Sequence, residues 1–381
     1  MPVGGAETLL VNMVRRFDRA RINPMICCLK QKDELGEQIS AEIPVFENLI
    51  RHKFDAGVLL RLRRLFRSNS IQAVITVGAG DKMFWGRLAA RISGAPVILS
   101  ALHSTGWPDG VGKMNRLLTP ITDGFIAVAE QHAEFQKNHE RFPAEKVFLI
   151  PNGIDTDRFR FDEKSRAQWR QKLNIPATAP VVSIVAALRP EKNHSMFLRV
   201  AAKVIKQRPD AHFVIAGDGP ERLHLQRLAN SLNLKQQVHF IGSTSDVVGV
   251  LSMSNLFALT SFNEASPVSI MEALSCQRPV VAPAVGSINE TVIEGETGFL
   301  VDVNNVDQAV RQWLRVLDNP SLAGRLGEQG RQHVIRNCSL EKMTLGYTEL
   351  VEQILVLKAA SKDIPVSTAA SRQQAAHLTG R

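Results

Sequence analysis

The sequence predicts an α/β protein built from two doubly wound, Rossmann-like domains. Short apolar runs alternate with amphipathic stretches from end to end, the pattern of parallel strands covered by helices. At 381 residues the chain is longer than one ordinary core organises. The alternation also falls into two series, separated by "PNGIDTDRF" (151–159) and a charged stretch reaching Pro180.

In the first series the expected strands are 25–29, 71–77, 96–101, 124–128 and 146–150. In the second they are 181–188, 212–216, 237–241, 256–260, 279–282 and 298–301. Gly, Pro, Asn or Asp bounds each run, and the segments between carry a 3.6-residue period. The expected organisation is a first domain over 1–155, a second over 156–357 with a terminal helix at 340–357, and a disordered Ala/Ser/Gln-rich tail over 358–381.

Composition narrows the function classes. With 44% hydrophobic and 22% charged residues the chain reads as globular. It has no apolar run of the length needed to span a bilayer. Its opening, Met1-Pro2-Val3-Gly4-Gly5, lacks the basic and apolar segments of a signal peptide. A cytoplasmic protein is expected. Cys27, Cys28, Cys276 and Cys338 show no metal-ligand spacing and are expected as buried, reduced thiols.

The net charge of +9 directs attention to anionic partners. Residues 51–91 hold nine Lys/Arg against Asp55 and Asp81, a local excess of seven positive charges. Within them, "VLLRLRRLFR" sets Val58, Leu59, Leu62, Leu65 and Phe66 on one helical face and Arg61, Arg63, Arg64 and Arg67 opposite. Two readings stay open: the solvated face of a packed helix, or a surface docking on an anionic membrane or phosphate-bearing acceptor. The second would place the protein peripherally at the inner face of the membrane. Nucleic acid is not expected, since no aromatics interleave with the charges.

The chemistry concentrates in "SFNEASPVSIMEAL" (261–274). Ser266 is a favoured N-cap and Pro267 suits the first helical position. The free N–H groups of Val268 and Ser269 would then form an anion site at a positive helix end. Glu264 precedes this end, and Glu272 lies on the helix away from its apolar face. A carboxylate accepts hydrogen bonds in pairs, as sugar diols require. An anion flanked by two sugars is the layout of a nucleotide-diphosphate-sugar; the plain alternative is two solvated acids. Arg189 and Lys192 stand where a strand turns into a helix, the usual ligand end of a parallel sheet, and could bridge a diphosphate. Gly219 in "IAGDGPER" and Thr244 in "FIGSTSD" mark further strand-end turns where backbone could approach a base.

Together, "VGGAE" (3–7), "ALHST" (101–105), "IPNGID" (150–155), "LRPEKNH" (188–194), "AGDGP" (216–220), "SFNEASPVSIMEAL" and "GETGFLV" (295–301) make the chain resemble GT-B glycosyltransferases of retaining family 4, along nearly its whole length. The resemblance implies two domains facing each other across a cleft, the first for the acceptor and the second for the nucleotide-sugar. It implies that Arg189 and Lys192 bind the diphosphate and stabilise the leaving group. Glu272 would hold the ribose hydroxyls and Glu264 the donor hexose. The backbone of Ala265, Ser266, Pro267 and Val268 would face sugar and phosphates. His103 would reach the sugar from the first domain, and Gly4 and Gly5 would form a loop near the phosphates. Retention by front-face attack needs no protein base and is driven by electrostatic stabilisation of the diphosphate. No metal or other cofactor is expected, and Asp155-Thr156-Asp157 reads as linker.

Three features depart from the family pattern. Ala187 stands where arginine is common, Ala265 follows the first glutamate where glycine is common, and only Met1 and Pro2 precede "VGGAE". The first, central strand of the first sheet is therefore expected to be missing. The leading expectation is a hexosyltransferase using a UDP-sugar for surface polysaccharide or glycolipid assembly on a glycan or lipid-linked acceptor. The alternative is a non-catalytic protein that binds nucleotide-sugar. Nucleotide-sugar epimerases share this architecture, but family 4 is the nearer resemblance.

Overall fold

A computed structural model describes residues 5–52, 55–78, 80–102 and 116–363. The first half contains β1 (Ile26–Cys27), β2 (Val45–Phe46), β3 (Ala73–Val77), β4 (Val97–Ala101), β5 (Gly124–Ala127) and β6 (Val147–Leu149). The second contains β7 (Val181–Val185), β8 (His212–Ala216), β9 (Val238–Gly242), β10 (Leu256–Ala258), β11 (Val280–Pro283) and β12 (Gly298–Val301). Every strand pairing among the described residues is parallel. The long crossovers that parallel pairing demands are supplied by the amphipathic segments.

The second sheet has the order β12-β11-β10-β7-β8-β9. Its first strand, β7, therefore lies beside its fourth, β10, and the chain winds outward in opposite directions from that point. Such a switch opens a crevice beyond the C-terminal strand ends. The helices on this sheet bury one stripe each. In Val306–Leu317, Ala309, Val310, Trp313 and Val316 are buried at helical spacing, and Asn305 caps the start by accepting from the Gln308 N–H at 3.0 Å. Trp313 packs on Phe197, with ring centroids 5.1 Å apart, and joins that helix to the sheet core.

The first sheet is in two pieces: the pair β1-β2 and the four strands β3-β4-β5-β6. β4 is buried along its whole length, whereas β3, at an edge, is mostly half-buried. Among the described residues no strand joins β1 to β3.

Three features differ from expectation. The terminal helix runs Leu340–Asp363, past the expected end at 357. It also packs with the first domain: Leu340, Met343, Tyr347, Leu350, Val351 and Ile354 share a core with Leu9, Ile39 and Leu99. Arg16 and Arg21 fasten it further through Glu341 and Glu352. Sequence position had assigned that helix to the second domain, but its apolar face decides otherwise. Cys28, Cys276 and Cys338 are buried thiols as expected, while Cys27 on the short β1 is exposed. No described helix is long and apolar enough to cross a membrane.

Candidate active site

The site forms where β7 and β10 end side by side. After β7 the chain makes a tight turn, Pro190–Lys192, and Asn193 takes a left-handed backbone (φ 50°) before the helix His194–Val204 begins. After β10 it makes the loop 259–267. The two loops are laced together. Lys192 Nζ donates to Glu264 Oε1 at 2.7 Å, the Thr260 hydroxyl donates to the Lys192 carbonyl at 3.1 Å, and the Phe262 N–H donates to the Glu191 carbonyl at 2.9 Å. The Ser261 hydroxyl also donates to Glu264 Oε1, at 2.7 Å. Glu264 is only 9% exposed, so its charge is sustained by these two donors rather than by water. Both use Oε1, which leaves Oε2 for a ligand.

Gly286 explains how the loop is held from the other side. It has φ 50°, and a Cβ there would stand 1.7 Å from the Glu264 carbonyl oxygen. The next residue, Ser287, donates its N–H to that carbonyl at 3.3 Å. Glu264 is thus fixed by its side chain and its backbone together, the condition for a preorganised site.

Arg189 is exposed at the same turn as Lys192. Gly219 lies on the neighbouring loop after β8, where a Cβ would come 2.5 Å from the Leu188 carbonyl oxygen. The close approach it permits is to the Arg189 loop itself. Thr244, after β9, accepts from the Asp246 N–H at 3.1 Å. Asp246 in turn accepts from the Trp169 indole at 2.6 Å and from the Gly249 N–H at 2.9 Å, so this loop is rigid as well.

The helix expected after Ser266 runs Val268–Ser275, with Pro267 as its N-cap and no side-chain capping bond. Ser266 therefore does not cap it, which corrects the sequence reading. A proline N-cap has no hydroxyl to offer, so the first-turn amides are left for another acceptor. Ala265 is buried and packs in the same loop. Glu272 is half-buried on the stripe that Val268 and Ser269 share. Burial pushes its pKa up to about 7, with the Arg158 charge working in the opposite direction. A carboxylate so placed gains most from a ligand that brings hydroxyl donors.

The structure thus brings Arg189, Lys192, Glu264, Gly219, Thr244 and the 265–268 backbone to the C-terminal end of one sheet. Gly5 begins the helix Gly5–Arg16 of the other domain. Gly4 and His103 lie outside the described residues. Ser261 was missed: a serine three residues before a glutamate carries no signal until both are known to be buried. Asp155 accepts the N–H groups of Asp157 and Arg158, at 3.1 and 2.9 Å, which makes Asp155-Thr156-Asp157 a turn of the linker.

Between the domains, a cavity of about 170 Å³ is lined by Ala129, Pro151 and Asn152 on one side and by Ser266, Ser287 and Glu290 on the other.

Comparison with known proteins agrees with this fold. Residues 3–158 match the model for Glycosyltransferase Family 4, and residues 165–333 that for Glycosyl transferases group 1. A GDP-mannose-dependent alpha-(1-6)-phosphatidylinositol monomannoside mannosyltransferase of Mycolicibacterium smegmatis is 27% identical over 74% of this chain and 76% of its own length. A UDP-Gal:alpha-D-GlcNAc-diphosphoundecaprenol alpha-1,3-galactosyltransferase of Escherichia coli is 26% identical over 70% of this chain and 72% of its own. Among solved structures, a Rickettsia africae glycosyltransferase superposes with a TM-score of 0.82 at 20% identity, covering 93% and 96% of the two chains. Anabaena HepE in complex with UDP gives 0.80 at 19% identity, covering 92% and 96%. The chain belongs to the GT-B glycosyltransferases of family 4.

Proposed function

We propose that the chain transfers a hexose from a nucleotide-diphosphate-sugar, a UDP-sugar in the first instance, to a glycan or lipid-linked acceptor in surface polysaccharide or glycolipid assembly. The observation that carries this is the ion pair between half-buried Lys192 and buried Glu264 at the switch point, beside Arg189 and an uncapped helix start. Cationic groups and free amides suit a diphosphate leaving group. The unused Oε2 of Glu264 suits a hexose hydroxyl, and Glu272 suits the ribose. The departing phosphate takes the acceptor's proton in this reading, so configuration is retained and neither a protein base nor a metal is needed. The names of the relatives support a nucleotide-sugar donor and differ in the base, GDP in one and UDP in the other.

The test is incubation with UDP-, GDP- and ADP-hexoses in the presence of a chelator, followed by NMR of the released or transferred sugar. One donor should turn over, with its anomeric configuration kept. Inverted product would refute the retaining step. The divided first sheet favours a second reading, donor binding without transfer; binding with no turnover on any acceptor tested would support it.

The basic region gives a separate expectation. In the helix Val58–Ser68, Arg61 is consumed internally: it donates to the Leu49 carbonyl at 2.8 Å and pairs with Asp55. Arg87 is fully buried and donates to the Met83 carbonyl and the Thr122 hydroxyl. The face left for docking is Leu60, which is 69% exposed, with Arg64 and Arg67. Near an anionic surface each arginine is worth about 1 kcal/mol. Replacing Arg64 and Arg67 by Gln should therefore lower binding to phosphatidylglycerol vesicles roughly tenfold or more. Unchanged co-sedimentation would remove the membrane from this proposal.

A further inference from the structure

The helix Glu130–Asn138 begins at the C-terminal end of β5, and its N-cap is Ala129, in extended backbone with no side chain to satisfy the first-turn amides. Those amides are satisfied from the other domain. Glu290 accepts the Glu130 N–H at 2.8 Å on one carboxylate oxygen and the Gln131 N–H at 2.9 Å on the other. The Gln131 side-chain amide donates to Asn289 Oδ1 at 3.1 Å. A carboxylate at a helix N-terminus is favoured by the exposed donors and by the helix dipole together. Here that cap is delivered across the cleft.

We propose that Glu290 is an interdomain latch, a positioning residue that holds the domains at the separation the reaction needs. Glu290 sits on the short helix Ile288–Thr291. That helix follows Gly286 and Ser287, whose backbone packs on the Glu264 carbonyl. A short covalent and hydrogen-bonded path therefore joins the Glu130–Asn138 helix start to the loop carrying Glu264. Opening the cleft exchanges both hydrogen bonds for water and loses the carboxylate from the positive helix end, and Ala129 has no side chain to put in place of the cap. The closed arrangement is favoured by what the first domain lacks. The described donor loops, after β7, β8, β9 and β10, lie on the second domain, so the latch acts on transfer between the domains far more than on nucleotide binding.

The catalytic part of this inference rests on the proposed transferase reading, whereas the latch itself does not. Two variants probe it from opposite sides. Glu290→Gln keeps the shape but turns one acceptor into a donor facing an N–H. Glu130→Pro removes one N–H at the first helical position, where proline is well tolerated. In amide exchange, the peptide covering 128–133 should exchange at least tenfold faster in Glu290→Gln, and small-angle scattering should show a larger radius of gyration. UDP, GDP or ADP, whichever binds the wild type, should bind both variants within twofold, while kcat for transfer falls about tenfold or more. The double variant should be no worse than the worse single one, because both break the same contact. Unaltered exchange and scattering in both variants would overturn the latch, even if the wild type bound no nucleotide. Nucleotide binding lost in step with kcat would overturn the positioning role, since the defect would then lie in the donor domain.

Discussion

Lys192→Ala is expected to lower kcat/KM for sugar transfer by about a thousandfold or more. Removing one preorganised group that stabilises developing charge typically costs two to three orders of magnitude, and Lys192 does more than that. Its ammonium is a donor to Glu264 Oε1, at 2.7 Å, in a site where Glu264 is nearly excluded from water. Deleting the lysine both strips positive charge from the diphosphate site and leaves a buried carboxylate with, among the described residues, only Ser261 as side-chain donor. Lys192 is 24% exposed, so the pair is only part-buried, and leaving Glu264 without its charged donor costs about 2–3 kcal/mol of stability. The two effects separate in the double variant Lys192→Met with Glu264→Gln, which removes both charges and keeps the volumes close. Thermal stability should return towards wild type in the double variant, while transfer stays lost. Restored transfer would show that the pair serves folding alone. Arg189→Ala, at an exposed position, should reduce transfer without a stability cost.

Glu272→Gln is expected to make the unliganded protein more stable at pH 8 and to weaken nucleotide binding at the same pH. The folded protein holds the Glu272 pKa near 7, above its ordinary 4.5, because burial disfavours the charged form. A group whose pKa is raised on folding contributes stability that is fully present below the unfolded value. That contribution fades as pH rises through the folded value. Between about pH 4.5 and 7 the wild type should therefore lose on the order of 2–3 kcal/mol that the Gln variant keeps. The melting temperatures of the two should coincide near pH 4 and diverge by pH 8. A ribose diol bound to the ionised carboxylate would recover that loss, so saturating nucleotide should narrow the gap. Parallel melting curves at every pH would contradict the stated cause.

The strands were legible because each is a short apolar run closed by a breaker; 212–216 and 298–301 match without a shift. β2 was missed, since Val45–Phe46 is too short to show a period. The crevice was legible only as a rule, because the sequence shows which loops follow strands but not which strands are neighbours. Lys192 and Glu264 are 72 residues apart and meet only through the β7-β10 pairing. For the same reason each residue reads as a site residue in the sequence while their mutual ion pair does not. The Ser266 cap failed because the backbone turns one residue later than the cap preference suggested. Arg61 shows the limit of reading charge by helical face: it sits opposite the apolar stripe, yet an upstream carbonyl and Asp55 claim it.

The most direct test of the donor site is calorimetric titration of the folded protein with UDP, GDP and ADP, without added metal, beside Lys192→Ala and Glu272→Gln. One nucleotide should bind the wild type with one-to-one stoichiometry, and each substitution should weaken it about tenfold or more. A folded wild type that binds none of the three, or variants that bind as tightly as the wild type, would contradict the assignment of the β7-β10 crevice as the donor site.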